Sequence, residues 1–209
     1  MKPNALTRRQ ALAAGATAAG SLLLPAPLFA QDAPRAVETM ILGAEDAPVS
    51  VVEYASLTCP HCANFHTNVF GKLKANYIET GKIRFEMRDV YFDRYGLWGA
   101  MVARCGGQER YFGIIDRLYT RQAEWSRLSE PTEVIAALFA IGRQAGLTDE
   151  QMDACVQDQA FAEALVAEFQ KNSEADGVNS TPTFFINGRK ESNMSYEDFA
   201  AKIDAELES

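Results

Sequence analysis

A chain of 209 residues with 47% hydrophobic composition can bury one good core, either as one domain or as one domain carrying an insertion, and it does not read as disordered. Its formal net charge of -8 repels phosphate backbones and argues against nucleic-acid binding.

Residues 1–30 carry Lys2, Arg8 and Arg9, no acid, and an Ala/Gly/Leu run from Ala11 to Leu24, which is the layout of an export signal cleaved after Ala30. Gly15, Gly20 and Pro25 interrupt that run, and it is shorter than the ~20 apolar residues of a membrane span. The pair in "TRRQAL" matches a twin-arginine signal. Export to a bacterial periplasm is therefore expected, and residues 1–30 are set aside from the fold.

"ETMIL" reads as an edge strand and "GAEDAP" as a turn. "VSVVEYA", Val49 to Ala55, is β-branched and aromatic, predicts a buried strand, and runs straight into the motif "SLTCPHCANFH". Beyond Cys62, the residues Phe65, Val69, Leu73 and Tyr77 recur four apart and Gly81 follows, so an amphipathic helix with a C-terminal stop is predicted. "KIRFEMRDV" is the next strand, and strand, helix, strand in about forty residues implies a parallel pair.

From Asp93 to Asp176 the periodicity is helical throughout. Trp98, Met101, Val102 and Cys105 mark one face. "PTEVIAALFAIGRQAG" starts at Pro131 and stops at Gly146, and "DEQMDACVQDQAFAEALVAEFQ" follows as further helix. Strand character returns in "TPTFFING", where Asn187-Gly188 is a hairpin turn, and "SYEDFAAKIDAEL" closes the chain as a helix.

Three kinds of chemistry compete for Cys59 and Cys62. Structural zinc takes four N/S ligands, but there is no second Cys-x-x-Cys, and His61 is wedged between the two cysteines. Covalent haem attachment needs His where Ala63 stands. A structural disulfide closing a two-residue loop removes little unfolded-state entropy. A redox role explains the placement at the junction of a buried strand and a helix N-terminus, where free N–H groups and the helix dipole favour a Cys59 thiolate. Pro60 suits the first helical turn. His61 adds a donor or a positive charge that also favours thiolate, and Cys62, one turn in, is the shielded resolving partner. His66 reads as an ordinary helix-surface residue. Glu53 is an acid in a strand that otherwise reads as buried, and its functional reading is a proton acceptor for Cys62.

With these residues in view, the sequence resembles the DsbA-like thiol-disulfide oxidoreductases of the thioredoxin superfamily. "CPHC" is typical of that family, "VVEYASLTCPHC" matches its strand-to-active-site pattern, and "STPTFFING" places Pro182 at the superfamily's cis-proline. The resemblance implies an α/β thioredoxin-like fold with an inserted all-helical domain. Residues 31–93 and 177–209 would form the thioredoxin-like part and residues 94–176 the insertion. It also implies a redox enzyme without cofactor or metal. Thr181 and Pro182 would pack against the disulfide, and the Thr181 backbone would pair with an extended substrate segment.

The implied partners are cysteine-containing exported polypeptides and a quinone-linked inner-membrane protein that reoxidises the enzyme, which is expected to act as a monomer. The best-known oxidases of the family usually carry Val before this proline. The expected function is an oxidase that introduces disulfide bonds into exported proteins through Cys59–Cys62; Thr181 is shared with isomerases and reductases, which stand as the alternative, and a periplasmic metal-binding or chaperone-like module is the alternative from a different class. Cys105 and Cys155 sit on apolar helix faces. They are either free buried cysteines or, once the active-site pair claims its own members, a structural disulfide favoured by an oxidising compartment.

Overall fold

The computed structural model describes residues 36–209. The leader, with Arg8 and Arg9, and the first residues assigned above to the thioredoxin-like part lie outside the described residues.

Five strands form one sheet in the order β1-β3-β2-β4-β5. They are β1 (Met40–Leu42), β2 (Val49–Ala55), β3 (Ile83–Asp89), β4 (Thr183–Ile186) and β5 (Arg189–Ser192). β2 and β3 pair in parallel, as a strand–helix–strand unit requires, and the remaining pairs are antiparallel. β2 thus lies at the centre of the sheet, and its Glu53 sits between Met87 of β3 and Phe184 of β4. At the β4–β5 turn, Asn187 and Gly188 both take positive φ, 45° and 79°, the conformation that makes Asn-Gly a hairpin turn.

The first helix, α1, begins as Pro60–Phe65 and continues through a π-helical turn at His66–Phe70, a short α stretch at Gly71–Leu73 and a second π turn at Lys74–Ile78. This accounts for the four-residue spacing in the sequence. An α-helix repeats about every 3.6 residues, so a strict four-residue stripe drifts around it. The wider π turns, with i→i+5 bonds, bring the stripe back into line. Phe65, Leu73 and Tyr77 are buried as a result, and so are His66, Phe70 and Ile78 beside them. Phe65 packs on Phe184 at 4.6 Å between ring centroids, Phe184 on Phe199 at 5.0 Å and Phe70 on Phe85 at 4.9 Å.

Between β3 and β4 the chain is helical: α2 (Arg94–Cys105), α3 (Gly107–Thr120), α4 (Gln122–Trp125), α5 (Pro131–Gln144), α6 (Asp149–Val156) and α7 (Gln159–Ala175). The single long helical run expected over "DEQMDACVQDQAFAEALVAEFQ" is instead two helices. Asp158 ends the first by capping the second, its carboxylate accepting from the Phe161 N–H at 2.9 Å. α3 packs on α1, and α8 (Tyr196–Leu207) packs on α1 and β2. α2 approaches the active-site loop at Gly99, where a Cβ would lie 3.0 Å from Leu57. Arg104 of α2 pairs with Asp89 of β3 at 2.8 Å, both side chains buried.

Candidate active site

β2 ends at Ala55, and the loop of Ser56, Leu57 and Thr58 delivers Cys59 to the N-terminus of α1. Cys59 is the N-cap, with extended backbone at φ -81° and ψ 121°, and Pro60 follows in the first turn. The Cys59 carbonyl accepts from the Ala63 N–H at 3.1 Å, so the cysteine is tied into the helix start. Its side chain projects where the first N–H groups of the helix have no carbonyl partner and the dipole favours negative charge.

Cys59 is 8% exposed and Cys62 fully buried, and both are free thiols here. Their acidities are driven apart. The Cys62 thiol, donating to the Cys59 sulfur, is the largest influence lowering Cys59 from 9.0 to about 5; burial opposes it, while the Thr181 side chain and the main-chain N–H groups of Cys62 and His61 add to it. Burial pushes Cys62 far up, and the hydrogen bond to Cys59 and the charge of Glu53 act in the same direction. The arrangement favours a thiolate at Cys59, the more exposed of the two, and a protonated thiol at Cys62 behind it.

The Thr181–Pro182 peptide bond is cis. The Thr181 carbonyl lies 3.5 Å from the Cys59 sulfur, which as a thiol donates to it. Over a hundred residues of sequence separate these groups, and the sheet closes the gap by pairing β4 with β2. Beside them a cleft of about 290 Å³ is lined by His61, Ser180, Thr181, Pro182, Ser192 and Asn193. The His61 ring is on the exposed side of the helix, and its contribution to the Cys59 acidity comes through the main-chain amide.

Glu53 is fully buried. Its Oε2 lies 2.8 Å from His66 Nε2, which corrects the reading of His66 as a surface residue: its side chain is 1% exposed and the ring stacks on Tyr119 of α3 at 4.2 Å between centroids. A signal for it did exist. His66 stands four residues after Cys62 and so shares its helix face, and a buried acid one strand away needs a partner. Gln122 was also missed. From α4, its Nε2 donates to the carbonyls of Leu57 at 2.8 Å and Cys59 at 3.0 Å, bracing the active-site loop.

The other two cysteines are joined to each other. Cys105, the last residue of α2, is disulfide-bonded to Cys155 of α6, with Cα atoms 6.2 Å apart. Among the described residues, no group of three or more His, Cys, Asp or Glu is placed to hold a metal ion.

A family model described as Thioredoxin matches residues 35–205. The crystal structure of Wolbachia pipientis alpha-DsbA1 is similar with a TM-score of 0.74 and 31% identity, over 82% of this chain and 92% of that one. Oxidised BdbD from Bacillus subtilis shares the fold with a TM-score of 0.72 at 20% identity, over 82% of this chain and 94% of that one. A Rickettsia bellii relative, whose provisional name is protein-disulfide oxidoreductase, is 35% identical over 170 residues, 81% of this chain. This chain spans 64% of that relative's length.

Proposed function

This chain belongs to the DsbA-like, thioredoxin-family protein-disulfide oxidoreductases, and from that premise we propose that it introduces disulfide bonds into exported polypeptides in the periplasm by passing on a Cys59–Cys62 disulfide. The observation that carries the reading is the asymmetry of the pair, with Cys59 lowered to about 5 and Cys62 raised.

A substrate thiolate attacks Cys59 Sγ, the Cys59–Cys62 bond breaks, and Cys62 leaves with the electron pair and takes up a proton. A second substrate cysteine, having lost its proton, attacks the substrate sulfur of the mixed disulfide, and Cys59 leaves as a thiolate. The substrate is oxidised, the enzyme pair is reduced, and of the two protons lost by the substrate one goes to Cys62 and one to solvent. An extended substrate segment is held along the Thr181 backbone, over the polar cleft beside His61 and Asn193. A quinone-linked inner-membrane protein then reoxidises the pair, and the enzyme works as a monomer without cofactor.

At pH 7, a leaving thiol with a pKa of about 5 instead of the ~7 of thioredoxin raises the potential by about 50 mV, because it stabilises the reduced form. Measured against a glutathione buffer, the potential is expected above about -220 mV. A value at or below about -270 mV, that of thioredoxin, would assign the chain to the reductase or isomerase direction that Thr181 also suits. Loss of insulin-reducing and thiol-oxidising activity in a Cys59→Ser variant separates either direction from a metal-binding or chaperone-like module.

A further inference from the structure

Behind Cys62, three polar atoms are buried without a protein partner: Glu53 Oε1, His66 Nδ1 and the Tyr119 hydroxyl. They belong to one assembly, since His66 bonds Glu53 at 2.8 Å and stacks on Tyr119 with rings 19° from parallel. A carboxylate oxygen and a ring nitrogen at that distance must have a proton between them. With none, two lone pairs would face each other; with one, an Nε2–H beside the Glu53 carboxylate, the pair keeps a net negative charge in the interior, and a second proton on Glu53 would make it neutral. One proton thus lies between Oε2 and Nε2, and Oε1, without a protein partner, has room for a second.

The titratable surroundings are few. Cys62 lies on the same helix as His66, and Tyr119 faces them from α3. Deeper in, the Tyr111 hydroxyl donates to Asp89 of β3 at 2.8 Å, and Asp89 is paired with Arg104 of α2. The strand neighbours of Glu53, Met87 and Phe184, do not titrate, nor do Phe65 and Phe70, which pack on the His66 ring.

We propose that His66 is a positioning residue of the exchange reaction: it shares one proton with Glu53 through Oε2, leaves Oε1 as the atom that trades a proton with Cys62, and so governs how fast Cys62 is charged and discharged. This rests on Cys59–Cys62 being an exchange centre. When Cys62 leaves as a thiolate, the pair in its two-proton state gives it the proton on Oε1 and keeps the one shared between Oε2 and Nε2. When Cys62 attacks a mixed disulfide on Cys59, the Sγ–H bond of Cys62 breaks, its proton goes to Oε1 of Glu53, so that the pair then holds two protons, and the new Cys59–Cys62 bond releases the partner thiolate.

The test is the rate at which Cys62 resolves a Cys59–glutathione mixed disulfide as a function of pH, for the full chain and for His66→Gln, which keeps a donor for Oε2 but cannot titrate. The variant should resolve at least roughly tenfold more slowly at pH 7, below the ~100-fold minimum of a directly acting acid–base group because Glu53 remains. Its rate should climb with pH where the wild-type rate is flat, and the Cys59 thiolate absorbance should titrate unchanged in both.

A variant with the wild-type rate and profile would overturn the proposal. A second readout needs no variant: the chain has two histidines, and the His66 ring 15N shifts should differ between the oxidised and mixed-disulfide forms, identical shifts counting against it. A wild-type chain that never resolves the mixed disulfide would remove the exchange reading and this inference with it, whereas normal resolution in His66→Gln removes the inference alone.

Discussion

The side chain of Gln122 donates to the carbonyl oxygen of Cys59 at 3.0 Å, so a residue of the helical insertion holds the main chain of the Cys59 loop in place. The same nitrogen reaches the Leu57 carbonyl at 2.8 Å, and Gln122 is 9% exposed. A Gln122→Leu substitution keeps the volume and removes the donor, leaving a buried carbonyl unpaired at a cost of about 1–3 kcal/mol. Urea denaturation of the oxidised protein should show that loss with an unchanged slope. A loss under about 0.5 kcal/mol, the bottom of the usual range for one hydrogen bond, would mean that the loop does not depend on this contact.

Gln122 also marks where reading from sequence stops. The placement of Cys59, Pro60 and Cys62 was legible because its signal is local: a β-branched strand meets a helix start, and the dipole acts within a turn. The β4–β5 turn was legible because Asn-Gly is suited to two consecutive positive φ values. Thr181 and Pro182 became legible only through family resemblance, since nothing near "STPTFFING" says that it will lie against Cys59. Gln122 lies in a helical run with no local pattern to distinguish it, and its role exists only once the insertion folds back. His66 was misread because the stripe through Phe65 and Tyr77 leaves it at the margin; its four-residue spacing from Cys62 was the overlooked signal, and the π turn that starts at His66 is not visible in a 3.6-residue pattern. The break at Asp158 was hidden because polar and apolar residues alternate through it without interruption.

Arg104 joins the insertion to the sheet, and its removal should be costly. Its guanidinium lies 2.8 Å from Asp89, with both side chains under 10% exposed, and the other Asp89 oxygen accepts from Tyr111 at 2.8 Å. Arg104→Met retains most of the packing but strands a buried carboxylate, which costs about 3–5 kcal/mol. For a chain of this size the Tm should fall by roughly 6–20 °C. In the double variant with Asp89→Asn much of that loss should return, and a double-mutant cycle by calorimetry measures the coupling.

The Cys105–Cys155 bond closes a sequence separation of 50. In the chain-entropy account, such a loop stabilises the folded state by about 4 kcal/mol, with 2–4 typical in practice. Replacing both cysteines by Ala should lower the free energy of unfolding by that typical amount under non-reducing conditions. Under those same conditions, peptide mapping of the unchanged protein should recover the two residues in one cross-linked fragment. An alkylatable Cys105 in the unfolded oxidised chain would contradict the pairing.

The pH dependence of the reduction potential should carry the signature of one titrating thiol. Below about 5 both thiols of the reduced pair hold protons, and a two-electron couple taking up two protons changes by about 59 mV per pH unit, twice the one-proton slope. Above that point Cys59 is a thiolate and Cys62, held protonated by burial, its bond to Cys59 and the charge of Glu53, takes up the only proton. The slope should therefore halve to about 30 mV per pH unit. The same shift works on stability with a fixed sign. A folded pKa below the unfolded one favours the folded reduced protein, fully above the unfolded value near 9, and that advantage disappears as pH falls through about 5. The reduced form should thus lose stability relative to the oxidised form between pH 9 and pH 5 and no further below it. Potentials and urea midpoints recorded from pH 4 to 9 test both at once; a slope break near 8 to 9 would show that Cys59 is an ordinary thiol, and the oxidising direction would lose its physical basis.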